Sequence, residues 1–280
     1  MLSYRHAFHA GNHADVLKHL VLVHIARYMA QKDAPFWYID THAGAGAYDL
    51  EGKEAQKLAE FCDGIGRLWQ RGDLPPAVEE YVALVRQLNS GGKLKHYPGS
   101  PWFANQILRE DDRLRLFELH SSDFRHLTNN FRNGGRRLSI TAGDGFAGLK
   151  ALLPPPSRRA FVLIDPSYET KGDYLNVVKA LEDALKRFAT GTYAVWYPRL
   201  ARSESRQLPE KMKALAANWL HASLNVSKAK SDGFGMHGSG LFIINPPWTL
   251  AETLRAALPW LAETLSQGEG SGFTLEQQGA

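Results

Sequence analysis

The chain has 280 residues, 44% of them hydrophobic and 22% charged, enough for one large domain or one domain with an insertion. Its single cysteine, Cys62, excludes an internal disulfide framework and any multi-cysteine zinc site. The 33 Lys and Arg exceed the 29 Asp and Glu by four, and the pI is near 9.1, which permits a polyanionic partner without proving one.

No apolar run approaches the ~20 residues needed to span a bilayer. The opening Met1–His6 has no h-region, so no signal peptide is expected, and the chain reads as a cytoplasmic protein without a membrane partner. It is expected to act as a monomer.

The run Tyr4-Arg5-His6-Ala7-Phe8-His9-Ala10-Gly11-Asn12-His13 interleaves aromatics, histidines and a cation. Such a mixture suits single-stranded or flipped bases, although a packed surface cluster would look the same. Residues 1–12 are expected to form a substrate flap, with Tyr4 and His6 on nucleic acid. Few of their side chains are apolar, so mobility is expected. His6, His9 and His13 lack partner thiolates and an obvious carboxylate ligand, so no metal site is expected. Asn12 is placed to cap a helix through about Met29. Val16, Leu17, Leu20, Val21 and Ile25 would form its apolar stripe, flanked by Lys18 and His19.

The first strand is Phe36–Asp40, followed by Thr41-His42-Ala43-Gly44-Ala45-Gly46. A dinucleotide fingerprint would read G-x-G-x-x-G. Asp-x-x-x-Gly-x-Gly instead resembles the loop by which Rossmann-like methyltransferases hold S-adenosylmethionine. An ordinary tight glycine turn would account for it equally well. The next strand lies far downstream, with room for more than one crossover helix. Helical stretches at Glu54–Gln70 and Pro76–Leu88 fill the gap, so residues 48–97 read as a small helical insertion. The main domain would then comprise 1–47 and 98–280.

Strands follow at Leu114–Leu119 and Arg137–Ala142. Glu118 ends one, where an acid can hold ribose hydroxyls. Asp144 follows the other, where an acid can accept from an adenine amino group. The fourth strand, Phe161–Asp165, leads into Pro166-Ser167-Tyr168. An exocyclic amine is a poor nucleophile because its lone pair is delocalised. The Asp165 carboxylate and the Pro166 carbonyl can accept its two N–H bonds and free that lone pair, while Tyr168 stacks on the extruded base. Asp-Pro is also a common turn. Four acids (Asp40, Glu118, Asp144, Asp165) at successive strand ends would line one ligand edge.

Strands at Thr192–Tyr197, Ala222–Ser227 and Leu241–Asn245 complete an α/β, Rossmann-like seven-stranded sheet. Asn245-Pro246-Pro247-Trp248 also fits an amino-methylase pattern. It ends the last strand, which methyltransferase sheets usually reverse, so it should lie at the opposite edge and Asp165 is preferred. The tail Gln267–Ala280, rich in Gly, Ser and Gln, is expected to be mobile.

The chain closely resembles the bacterial 23S ribosomal RNA adenine-N6 methyltransferases of the RlmJ family. The likeness runs through Leu2–His6, His13–His19, Asp40–Gly46, Tyr97–Pro101, Arg158-Arg159, Phe188–Ala194 and Asn245–Trp248. It implies S-adenosylmethionine as cofactor, no metal, and 23S ribosomal RNA, free or partly assembled, as partner. It implies that His19, His42, Ser100, Glu118, Asp144, Gly145 and Asp165 contact the cofactor or reacting centre, with Gly44 in the glycine loop. Tyr4, His6 and Lys18 would serve substrate binding and catalysis, Lys18 close to the cofactor, alongside Asp165, Pro166 and Tyr168. The family pattern is Asp-Pro-Pro-Tyr, and Ser167 replaces its second proline. That removes a φ constraint, so a looser loop with surviving activity is expected. An adenine-N6 DNA methyltransferase and a non-catalytic nucleic-acid binding protein on this fold remain as alternatives.

Overall fold

The computed structural model describes residues 4–230 and 235–279. Residues 1–3 of the expected flap and Ala280 of the tail lie outside the described residues.

Asn12 caps α1 (His13–Gln31), its Oδ1 accepting from the N–H groups of Ala14 and Asp15 at 3.0 Å each. The helix is buried all round from His13 to Val23, not only along the expected stripe. Lys18 and His19 are therefore interior residues.

β1 (Trp37–Asp40) enters the glycine loop. β2 (Ala47–Asp49) leads to α2 (Lys53–Leu58), α3 (Ile65–Leu68) and α4 (Pro76–Leu88), and β3 (His96–Pro98) returns. α1 is covered by α4 and by α5 (Ser100–Ile107). β2 and β3 pair antiparallel, with Tyr48 opposite Tyr97.

The helix expected over Glu54–Gln70 is broken. Ala59 turns left-handed at φ 51, and Gly64 lies outside the helical region. Gly64 sits against the backbone of Gly11 and Asn12, where a Cβ would overlap, and the Ile65 N–H donates to the Gly11 carbonyl at 2.9 Å. A tertiary contact invisible to helical periodicity sets the break.

β4 (Arg113–Glu118), α6 (Ser121–Asn130), β5 (Leu138–Ala142), α7 (Gly145–Leu152) and β6 (Ala160–Ile164) follow. β6 is buried along its length, as its apolar run requires. α8 (Lys171–Arg187) starts where Asp173 reaches back to the Thr170 N–H. β7 (Thr192–Arg199), α9 (Ser203–Lys213), β8 (Trp219–Asn225), β9 (Gly238–Ile244), α10 (Leu250–Thr264) and β10 (Gly272–Gln278) complete the chain.

The main sheet has the order β10-β8-β9-β7-β6-β1-β4-β5. β5, β4, β1, β6 and β7 are mutually parallel, whereas β9 runs antiparallel to β7 and β8. The fold is Rossmann-like, with eight strands where seven were expected. The eighth is the tail, which pairs with β8 from Gly272↔Asn225 to Gln278↔Trp219. Its side chains are mostly polar, so no apolar alternation announced it. Backbone pairing holds it, helped by Lys213 Nζ donating to Glu276 at 2.8 Å. No helix among the described residues is long and apolar enough to cross a membrane.

Ending the chain at Ser271 would bare the β8 edge. The truncated protein should lose about 2–4 kcal/mol in urea unfolding, the net of several backbone hydrogen bonds and the ordering entropy regained. An unchanged midpoint would mean β10 adds no stability.

Candidate active site

The parallel strands deliver their carboxyl ends to one edge of the sheet, where ligands of such folds bind. A cavity of about 700 Å³ opens there. It is bordered by the loop after β1, the ends of β4 and β6, the loop after β5, the first turns of α1 and the N-terminal segment. Tyr4, His6, Lys18, His19, His42, Gly44, Ser100, Glu118, Asp144, Gly145, Asp165, Pro166 and Tyr168 all line it.

A chain of polar contacts crosses this cavity. The Tyr4 hydroxyl lies 2.8 Å from His6 Nδ1, and His6 Nε2 donates to Asp15 Oδ2 at 2.9 Å. A carboxylate only accepts, so the Nε2 proton points at Asp15. Lys18 Nζ bridges Asp15 Oδ1 at 2.9 Å and Asp165 Oδ2 at 2.7 Å. Asp15 also accepts from the Gly11 N–H at 2.8 Å. Burial alone would raise the Asp15 carboxyl, but His6 and Lys18 outweigh it and hold it well below the usual range. Burial would likewise lower Lys18, but Asp15 and Asp165 hold its ammonium well above its ordinary value.

The described N-terminal residues are anchored by these polar contacts rather than by an apolar face. His9 Nδ1 donates to Glu60 Oε1 and Asn12 Nδ2 donates to Glu60 Oε2, both at 3.0 Å. The Tyr4 N–H reaches Glu169 at 2.9 Å. Two of the histidines thus do find carboxylates, Asp15 and Glu60, which lay too far along the chain to be paired from spacing.

The opposite side of the cavity is built on β1 and β4. Gly44 adopts φ 61, a conformation side chains resist, and its N–H donates to Glu118 Oε2 at 2.8 Å. The His120 N–H occupies Glu118 Oε1 at 2.7 Å. Burial raises the Glu118 carboxyl. Asp144 caps α7 through the Phe146 N–H at 2.9 Å. His42 shares a 2.8 Å hydrogen bond with Thr41 Oγ1 and meets the Phe146 ring edge-on. Burial pushes the His42 imidazole down to about 4. His19 Nδ1 lies 2.7 Å from the Tyr97 hydroxyl, which lies 2.9 Å from that of Tyr81. Its Nε2 is buried and has no hydrogen-bond partner among the described residues.

Three expectations are corrected. Asp40 does not line the ligand edge; it is fully buried and accepts from Ser100 Oγ at 2.6 Å and Tyr38 Oη at 2.8 Å. Burial raises its carboxyl to about 6 against the pull of those donors. Tyr168 does not present its ring. It is 2% exposed at φ 53, packed with Tyr174 and Trp196, and its hydroxyl donates to the Trp196 carbonyl at 2.6 Å. Lys18 does not flank a stripe but stands between two carboxylates.

Asn245 ends antiparallel β9 at the opposite edge. Its amide donates to the Ala189 and Gly191 carbonyls, both at 2.8 Å, and so fastens a turn. Asp15 was not singled out from the sequence. Its i,i+3 spacing to Lys18 was the available signal.

A family model described as "Ribosomal RNA large subunit methyltransferase D, RlmJ" matches residues 33–276. The chain belongs to the RlmJ family. It is 48% identical to "Ribosomal RNA large subunit methyltransferase J" of Haemophilus influenzae, covering 99% of this chain and 98% of the relative. The Escherichia coli protein of the same name is 47% identical over 95% of this chain and 94% of its own. A crystal structure from Legionella pneumophila, 37% identical, superposes with a TM-score of 0.90 over 96% of this chain and 98% of that one.

Family membership implies use of S-adenosylmethionine in general terms, and the residues present fit such a group. His19, whose Nε2 has no partner among the described residues, borders the cavity, as do Glu118 and Gly145, and Gly145 lies so close to the Thr41 carbonyl that a Cβ would overlap it.

His13 lines the same cavity, and burial pushes its imidazole from 6.5 down to about 4. The fold holds it neutral, whereas the unfolded chain takes up a proton below pH 6.5. Its stabilising contribution is therefore intact above pH 6.5 and falls as pH drops towards 4, by roughly 3 kcal/mol in the limit. Urea unfolding from pH 7 to 4.5 should show this slope in the native protein and a shallower one in His13→Gln. Equal slopes would exclude His13 as its source.

Proposed function

We propose that this chain transfers a methyl group from S-adenosylmethionine to the exocyclic N6 of an unstacked adenine in 23S ribosomal RNA. The relatives' names indicate large-subunit ribosomal RNA. One observation carries the chemistry: Asp165 and Pro166 share a single cavity with Glu118 and the glycine loop. An amine held at the first pair faces a methyl donor held at the second. Such work would place the enzyme in the cytoplasm, and a monomer suffices for it.

In this reading Glu118 accepts from ribose hydroxyls, and the Asp144 oxygen that does not cap α7 accepts from the cofactor's adenine amine. His19, His42, Gly44, Ser100 and Gly145 complete that binding surface. The cofactor supplies an electrophilic methyl on sulfur. Lys18 occupies Asp165 Oδ2, which leaves Oδ1 for one amine hydrogen. The Pro166 carbonyl accepts the other. The two contacts turn the nitrogen lone pair towards the methyl, so positioning supplies most of the acceleration. The proton leaves after transfer, to Asp165 or to water.

Tyr4 and His6 close the cavity over the base, with Asp15 holding His6 and Lys18 in place. Tyr168 contributes by fixing the loop through its buried ring and its hydroxyl contact to the Trp196 carbonyl. Ser167 sits in that loop, and Tyr168 keeps its left-handed turn without the second proline. We propose residues 48–97 as an insertion into the methyltransferase domain formed by 1–47 and 98–280.

Labelled cofactor incubated with naked 23S RNA, ribosomal subunits and DNA should label RNA and spare DNA. The reverse would make this a DNA enzyme, and no transfer to any of them a binding protein. Asp165→Ala should abolish transfer. Asn245→Gly, chosen because position 245 has φ 52, should leave it intact; the opposite pattern would move the site to the other sheet edge.

Glu118→Ala should weaken S-adenosylmethionine binding by about 1.5–3 kcal/mol, the value of a charge-assisted hydrogen bond. Calorimetry with unchanged affinity would remove Glu118 from the cofactor site.

A further inference from the structure

Trp196 stands on β7, the strand beyond β6 on the side away from β1 and β4. Ile164 pairs with Val195, so Trp196 is level with Asp165. The two meet through Lys18, whose Nζ is 2.7 Å from Asp165 Oδ2 and 5.6 Å from the indole centroid. Glu118 and the glycine loop lie on the other side of Asp165. Trp196 therefore borders the part of the cavity that takes the methyl acceptor rather than the cofactor.

Trp196 is 9% exposed and lines the cavity, yet its Nε1 is buried without a hydrogen-bond partner among the described residues. A buried indole N–H usually has a partner, and leaving it bare is costly. Lys18 Nζ, a donor only, is taken by Asp15 and Asp165, and the Tyr168 hydroxyl is turned to the Trp196 backbone carbonyl. The missing partner is an acceptor, since an indole N–H only donates.

We infer that the Trp196 Nε1–H donates to a ring nitrogen flanking the amine of the target base, N1 or N7 of adenine. This rests on the proposed reading of the site. Asp165 and Pro166 take only the amine hydrogens and do not sense the ring. A donor beside them recognises an in-plane lone pair next to the amine and fixes the rotation of the base. Trp196 is then a specificity-determining residue.

The test replaces the accepting adenosine of a short RNA substrate by its 1-deaza, 3-deaza or 7-deaza analogue, each exchanging one ring nitrogen for C–H. In the native enzyme one of the 1-deaza and 7-deaza substrates should lose about tenfold in kcat/KM, as expected for one hydrogen bond, and the 3-deaza substrate should not. Trp196→Phe should lose a similar factor on adenosine and no longer distinguish the analogues. Its affinity for S-adenosylmethionine should match that of the native protein. Trp196→His, which restores a ring N–H, should recover part of the discrimination.

A native enzyme indifferent to both the 1-deaza and 7-deaza changes overturns the inference, whether or not the variants fold. So does a penalty that persists in a folded Trp196→Phe, or a loss confined to cofactor binding. If the native enzyme labels no RNA at all, the proposed function falls and this inference with it. If it labels RNA without these dependences, only the inference falls.

Discussion

A buried ammonium between two carboxylates organises this protein. Lys18 is 5% exposed and is held by Asp15 from within its own helix and by Asp165 from the end of β6. Removing such a cation from water is expensive, and one carboxylate seldom offsets the loss. Two do, and they fix where each must stand. Asp165 cannot drift from Lys18, and Lys18 cannot leave without stranding two charges. The same Asp15 accepts from His6, and His6 in turn holds the Tyr4 hydroxyl at 2.8 Å. Closure of the N-terminal segment and the orientation of Asp165 are thus parts of one electrostatic arrangement.

The sheet gives that arrangement its setting. Five parallel strands bring Glu118, the glycine loop and Asp165 to one edge in the spatial order β4, β1, β6. The reversal at β9 carries the rival Asn-Pro-Pro-Trp motif to the other edge. Two sequences with similar letters therefore receive different work. Asp165 faces a cavity, while Asn245 spends its amide on two carbonyls.

Much of this was legible in the sequence, for identifiable reasons. Apolar runs ending in acids marked the parallel strands, and Gly44 marked a turn that needs positive φ. What escaped was tertiary. β10 is held by backbone pairing that leaves little imprint on side-chain pattern. The break at Ala59 and Gly64 answers a close approach to Gly11, remote in sequence. The His6–Asp15 and His9–Glu60 pairs, and the burial of Tyr168 against Trp196, depend on elements meeting in space. Strand ends could be placed from the sequence, but contacts shared between elements could not, as Asp40 shows by turning inward to Ser100 and Tyr38.

The β2–β3 ribbon decides where this chain tolerates change. It sets Ala47 beside Pro98 in register, so the chain leaves the glycine loop and returns at nearly the same place. Loop length beyond such a clasp adds little closure entropy. Tyr97, which carries the hydroxyl contact to His19, lies within the clasp, whereas Gly91 and Gly92 lie at an exposed bend beyond it. That outer bend can be lengthened, shortened or recomposed without moving the wall of the cavity, so it is the place where added chain would cost this fold least.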